Sequence, residues 1–239
     1  MTPLFSLLIS LKRSEARREQ AIAILKKSPL QWETLEGIDG LQLQHTPPEY
    51  HEAKVSRLLG YSLTPSEIGC FLSHRLAWVK CVEKNCITLV LEDDFAFKPN
   101  FEQAIEVLNT QYQDWDIARL QGLVHTSDST LHAGSDYQIV KNSGDPLGAT
   151  AYIIKPAAAK RLIRFSSEIY EPLDHFLEHQ KIHQLKVIAF KPYPVEANGM
   201  DSTMHDRGDR APIKGFRKRW RSMHRAIDRL LNTSPWFPK

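Results

Sequence analysis

The tightest constraint on this chain is Ile87-Thr88-Leu89-Val90-Leu91, an aliphatic and β-branched run that passes without a spacer into Glu92-Asp93-Asp94. A continuous run of this kind, bounded abruptly by polar residues, predicts a strand buried on both faces, as in parallel sheets. Ligands of open α/β sheets gather at the carboxyl ends of such strands. Three adjacent carboxylates repel one another. Either they are simply hydrated or they share a positive charge, and a hard divalent cation with oxygen ligands suits them best.

The chain has 239 residues, enough for one large α/β domain with a tail. Its formal charge of +3 is uneven, because residues 210–239 carry nine Lys and Arg against one Asp, or +8, leaving −5 for the rest. Cys70, Cys81 and Cys86 are odd in number and lack CxxC spacing, which predicts reduced thiols and no zinc site. The apolar residues 4–11 have no preceding positive charge, and Lys12-Arg13 follow them, the reverse of a signal peptide. No stretch approaches the roughly 20 apolar residues that span a bilayer. The expectation is a cytoplasmic protein, soluble or peripheral on a membrane.

Residues 4–11 read as a first strand, and Ser14 as the cap of a helix over 15–27. Arg13, Arg17 and Arg18 lie near that strand's carboxyl end, where they either meet a phosphate or form a solvated surface. Residues 32–38 read as a second strand closed by the turn Asp39-Gly40, and residues 42–62 as a polar flap. Thr64-Pro65-Ser66-Glu67 is a capping box with Pro at the first helical position, opening a helix over 65–84. Ile68, Leu72, Leu76 and Val79 form its expected apolar stripe, and Cys70, His74, Ala77 and Cys81 a second face. There Ser73 and His74 are either core or site residues.

Further strands are predicted over 114–120, 148–154 and 186–190, and helices over 101–109, 156–165 and from 172. Residues 122–144 read as loops with one short strand over 137–140. Asp174 lies in the first turn of the helix beginning at Pro172, ordinarily a place for a dipole-facing acid. In the tail, Ile213, Phe216, Trp220, Met223, Ile227, Leu230 and Leu231 recur at helical steps among Lys and Arg. Such a basic amphipathic helix binds an anionic membrane surface, docks on its own domain or, with less support here, contacts nucleic acid.

Chemically, the acidic cluster suits a metal–diphosphate site, half of a two-metal hydrolase centre, or a solvated turn. The Walker, nucleophile-elbow and glycine-rich dinucleotide motifs are missing. Four segments then look alike to one family: Ile9-Ser10-Leu11-Lys12-Arg13-Ser14 with Arg17-Arg18, the stretch 64–74 containing Glu-Ile-Gly-Cys-Phe-Leu-Ser-His, Val90-Leu91-Glu92-Asp93-Asp94, and Gly148-Ala149-Thr150-Ala151-Tyr152-Ile153-Ile154. Together they resemble glycosyltransferase family 25, the bacterial lipooligosaccharide galactosyltransferases related to collagen galactosyltransferases.

The resemblance implies a GT-A type, Rossmann-like mixed sheet flanked by helices over residues 1–205, followed by the basic tail from 206. It implies an inverting transfer of galactose from UDP-galactose, with Mn²⁺ or Mg²⁺, to a lipid-linked saccharide acceptor of lipooligosaccharide or lipopolysaccharide. No nucleic-acid partner is expected. Carried onto this sequence, Asp94 becomes the metal ligand, with His205 completing the shell by analogy. Ser10, Arg13, Asp39, Glu92 and Asp93 become donor contacts, with Glu67, Ser73 and His74 as support. Asp174 becomes the base. The alternatives are a degenerate member that only binds glycan or membrane, and a metal-dependent phosphohydrolase.

Overall fold

The computed structural model describes residues 4–199, apart from the side chain of Lys181, and Asp206. Its centre is an eight-stranded sheet. The strands are β1 (Leu4–Ser10), β2 (Trp32–Glu36), β3 (Ile87–Glu92), β5 (Ile117–Arg119), β6 (Asp128–Ala133), β7 (Gln138–Asn142), β8 (Ala151–Ile154) and β9 (Val187–Lys191), in the order β2-β1-β3-β8-β5-β9-β7-β6. A separate antiparallel pair joins β4 (Phe95–Phe97) to β10 (Val195–Ala197). β1 runs parallel to both β2 and β3, and β5 parallel to β9, while β8 is antiparallel to β3 and β5. The carboxyl ends of β1, β2, β3, β5 and β9 therefore share one edge of the sheet. This is the mixed α/β architecture expected from the sequence.

Alternation along the strands builds a core on each face. Leu7, Ile9, Val90, Tyr152 and Ile154 point to one side, where α2 (Glu52–Leu59), α3 (Pro65–Lys84), α5 (Pro156–Phe165) and α6 (Leu173–Glu178) contribute Val55, Phe71, Trp78, Leu162 and Phe176. Leu8, Leu89, Leu91 and Ile153 point to the other, against Ala21 and Leu25 of α1 (Glu15–Leu25) and Phe101 and Ala104 of α4 (Phe101–Glu106). A short α7 (Gln180–His183) precedes β9.

Several expectations need correction. Residues 42–62 are no flap: α2 lies within them, with Val55 and Leu59 buried, and Tyr50 bridges to Ile169. Residues 122–144 hold a hairpin, β6–β7, which extends the main sheet through β9. Ser14 occupies the cap position of α1 without a side-chain cap bond. The stripe foreseen on α3 faces partly outward, with Leu76 39% exposed, while Phe71, His74, Trp78 and Cys81 of the other face are buried. His74, Ala77 and Cys81 pack there as core residues, the second buried side that their helical spacing predicts. His205 and the amphipathic tail lie outside the described residues.

The helix start of α3 is as the sequence predicts. Thr64 Oγ1 accepts from the Glu67 N–H at 3.2 Å and the Glu67 carboxylate accepts from the Thr64 N–H at 2.9 Å, closing the capping box. The Asp206 carboxylate also accepts from the Ser66 N–H at 3.1 Å, completing an acidic collar at the positive end of this long helix.

Candidate active site

At the shared strand edge, β1, β3, the first turn of α1, the turn after β2 and the first three turns of α3 enclose a cleft of about 90 Å³. Its lining includes Ser10, Arg13, Arg17, Asp39, Ser73, His74, Glu92, Asp93 and Asp94. These nine residues, all singled out from sequence, thus meet in one place although up to 84 positions separate them, from Ser10 to Asp94. Glu67 sits just behind, spent on the helix cap.

The three acids have different surroundings. Asp93 is committed to the protein: its Oδ2 accepts from Ser10 Oγ at 2.7 Å and its Oδ1 meets Arg17 Nη2 at 2.6 Å. Burial raises its pKa above the ordinary range, against the pull of Ser10 and Arg17. Asp94 Oδ2 stands 3.2 Å from the same Arg17 nitrogen, while its Oδ1 is buried with no hydrogen-bond partner. Burial, then the Glu92 charge, push the Asp94 carboxyl up to about 6 despite Arg17.

Glu92 is the end of a chain of hydrogen bonds. Trp78 Nε1 can only donate, so the Tyr152 oxygen at 2.9 Å accepts. The Tyr152 proton is then directed to His74 Nδ1, also at 2.9 Å, leaving Nε2–H of His74 to donate to Glu92 Oε1 at 3.1 Å. Thr150 Oγ1 reaches the second carboxylate oxygen at 3.4 Å. Burial works to raise the Glu92 carboxyl; the hydrogen bond from His74, with Arg17 and Cys70, outweighs it and holds the group below its ordinary range. His74 is therefore both a core residue and a site residue. Cys70, His74 and Glu92 also offer three ligand atoms within 4.8 Å of one another. The Trp78–Tyr152 relay argues against an ion there, because it leaves His74 Nε2 as a donor.

On the opposite wall, Arg13 grips Asp39 through Nε at 2.7 Å and Nη2 at 3.5 Å, and Asp39 Oδ1 caps the following turn by accepting from the Leu41 N–H at 3.2 Å. Ser73 Oγ accepts from the Ile38 N–H at 2.8 Å and so ties α3 to that turn. Arg18 does not enter the cleft. Its Nη2 donates to the carbonyls of Leu11 and Lys12, both at 2.6 Å, bracing the β1–α1 turn.

Asp174 is half-buried on α6, outside this cleft, with Oδ1 accepting from the His175 N–H at 3.1 Å. It lies near a second polar group at the same sheet edge, two strands from β3. There Arg119 pairs with Glu178, and Arg119 Nη1 donates to the Gly148 carbonyl at 2.8 Å. Burial raises the Glu178 carboxyl to about 7, reinforced by Asp145 and Asp174 and opposed by Arg119. Arg119, Glu178, Tyr152 and Trp78 carried no sequence signal of function, since each reads alone as core or surface.

A divalent cation fits the residues present. Asp94 Oδ1 is a buried carboxylate oxygen without a protein donor, facing a cleft that also contains the ionised Glu92, and hard oxygen donors of this kind suit Mg²⁺ or Mn²⁺. Asp93, saturated by Ser10 and Arg17, is the poorer ligand.

The cleft stands at the carboxyl edge of the sheet, where open α/β proteins bind their ligands. Residues 4–177 match the family described as "Glycosyltransferase family 25 (LPS biosynthesis protein)", and the chain belongs to that family. A "Glycosyltransferase 25 family member" of Drosophila melanogaster is 32% identical over 71% of this chain and 29% of its own length. The human "Inactive glycosyltransferase 25 family member 3" is 30% identical over 79% and 35%. Human "Procollagen galactosyltransferase 2" is 23% identical over 83% and 36%. The chain thus spans about a third of the length of these relatives.

Proposed function

We propose that this chain is a metal-dependent, inverting glycosyltransferase that moves galactose from UDP-galactose to a lipid-linked saccharide acceptor of lipooligosaccharide or lipopolysaccharide. It would work at the inner face of the cytoplasmic membrane, with its basic C-terminal segment on the anionic surface. The supporting observation is Asp94 Oδ1, a buried acceptor that no protein group satisfies, at the carboxyl end of β3. The galactose donor is suggested by the name of one relative and by the motif resemblance.

In this reading Asp94 holds Mn²⁺ or Mg²⁺, with His205 as a further ligand. The cation's contribution, when bound, is to neutralise the charge of the departing nucleoside diphosphate. Arg13 and Arg17 supply the cleft's positive wall. Asp39, oriented by Arg13, accepts a ribose hydroxyl, and Glu92, locked by His74, accepts a hydroxyl of the donor. Asp174 takes the proton from the attacking acceptor hydroxyl. It stands beyond the cleft, near Glu178.

Calorimetry with UDP, with and without Mn²⁺, tests this. Mn²⁺-dependent UDP binding is expected, with Asp94→Asn weakening it by about tenfold to a hundredfold, the scale of one lost charged contact. Full Mn²⁺-dependent affinity in that variant would refute the metal assignment.

A second reading has two observations behind it. Arg17 already pairs with Asp93 and Asp94 without any ion, and several mammalian relatives are named inactive or probable inactive. A glycan- or membrane-binding protein without transferase activity would bind no UDP in the same titration.

A further inference from the structure

Arg17 reaches from the first turn of α1 to two acids at once, and its contacts with them are unequal. It meets Asp93 at 2.6 Å and Asp94 at 3.2 Å, through the same Nη2 nitrogen. Asp93 is a fixed anchor, since Ser10 Oγ holds its other oxygen at 2.7 Å. Asp94 is the looser partner, with Oδ1 unsatisfied and the carboxylate 21% exposed to the cleft. A side chain 11% exposed, tethered at one acid and lightly engaged at the next, can release the second without losing its position.

We propose that Arg17 is an exchangeable counter-ion. Anchored on Asp93, it gives up Asp94 to a divalent cation and offers the N–H so released on Nη2 to the nucleotide's diphosphate. This rests on reading the cleft as a nucleotide-sugar site. The physical case is charge balance. A dication on Asp94 beside a guanidinium at contact distance is repulsive, so cation and Arg17 compete for that carboxylate. A diphosphate arriving with the cation removes the conflict by giving the guanidinium its own anion, for which its planar fork is well matched. Arg17 therefore opposes binding of the cation alone and favours binding of cation and nucleotide together. The cleft then fills in a coupled manner, and a free cation gains little hold on it.

The test measures Mn²⁺ alone by electron paramagnetic resonance, and UDP at saturating Mn²⁺ by calorimetry, on the full chain. Arg17→Gln removes the charge. It should bind Mn²⁺ alone about five- to tenfold more tightly, as expected for losing one nearby like charge at an effective dielectric between protein and water. It should bind UDP about tenfold more weakly, for the loss of a charge-assisted contact. These opposite signs are not produced by general loosening of the cleft. Parallel weakening of both ligands would make Arg17 a structural brace and overturn the proposal. Arg17→Lys serves if the neutral variant fails to fold: retaining the charge but not the fork, it should keep Mn²⁺ affinity within about twofold and still weaken UDP. Unchanged UDP affinity in the lysine variant would overturn the diphosphate role. If the wild-type protein binds neither Mn²⁺ nor UDP, the nucleotide-site reading fails first, and the exchange with it.

Discussion

His183 shows how one buried residue makes the fold sensitive to pH. It is fully buried, and both ring nitrogens are used: Nδ1 accepts from the Leu185 N–H at 3.2 Å, and Nε2 faces the Leu177 carbonyl at 3.3 Å as a donor. That pairing requires the neutral ring, and burial lowers its pKa to about 4 from an ordinary 6.5. The unfolded chain therefore takes up a proton between pH 6.5 and 4 that the folded protein refuses, so stability falls as pH drops through that window. The full effect is on the order of 3 kcal/mol. Glu178 titrates near 7 with the opposite slope, so the comparison must be with His183→Gln, which keeps Glu178. Urea midpoints from pH 7.5 to 4.5 should show wild type and variant converging as pH falls. A constant gap between them would mean that the folded His183 takes up its proton over the same pH range as the unfolded chain. The acids of the cleft follow the same logic of environment: Glu92, Asp93 and Asp94 are sequence neighbours with similar chemistry, and burial, neighbouring charges and hydrogen-bond partners separate them.

At the scale of elements, α3 determines where the cleft's far wall stands. Its first turn packs backbone to backbone against the turn after β2, and two glycines permit this. A Cβ on Gly69 would lie 2.5 Å from the Gly40 nitrogen and 2.6 Å from the Ile38 carbonyl oxygen, and one on Gly40 would lie 1.7 Å from the Pro65 carbonyl oxygen. None of these neighbours is a flexible side-chain end. Gly69→Ala should therefore cost about 1–3 kcal/mol by overpacking, and it should weaken UDP binding by displacing Asp39. Chemical denaturation checks the first and calorimetry the second; an unchanged midpoint would show that the turn yields freely. What the sequence revealed follows the range of the interactions involved. The capping box of α3 is local, written in Thr64, Pro65 and Glu67, and was legible in full. β1, β3, β8 and β9 were legible because strands buried on both faces need continuous apolar runs. β6 left no pattern, since Asp128–Ala133 is exposed throughout and its place comes only from pairing with β7. In α2 only Val55 and Leu59 are buried, too few to stand out behind Pro47-Pro48. The acids of the cleft announced themselves by their crowding. The partners that distinguish them, Arg17, Tyr152 and Trp78, are residues of ordinary type whose meeting is set by sheet order.

For the whole molecule the governing quantity is the division of charge. Residues 1–209 sum to −5 and residues 210–239 to +8, so the chain's small net charge conceals two parts with opposite preferences for an anionic surface. The acidic part is repelled by such a surface, and association must come from the basic segment, at roughly 1 kcal/mol for each Lys or Arg near the headgroups. No helix among the described residues is long and apolar enough to cross a membrane. The full chain should co-sediment with vesicles containing anionic phospholipid and remain in solution with purely zwitterionic ones. Replacing Lys214, Arg217, Lys218, Arg219 and Arg221 with Gln would leave the chain at −2, reversing the sign of its net charge, and should abolish that binding. Binding by the unaltered chain should weaken steeply in high salt, as screened headgroup attraction does. Binding to zwitterionic vesicles, or equal binding of the two proteins, would make apolar insertion rather than charge the source of the association; failure of the unaltered chain to bind anionic vesicles would assign the apolar stripe from Ile213 to Leu231 to contacts within the protein.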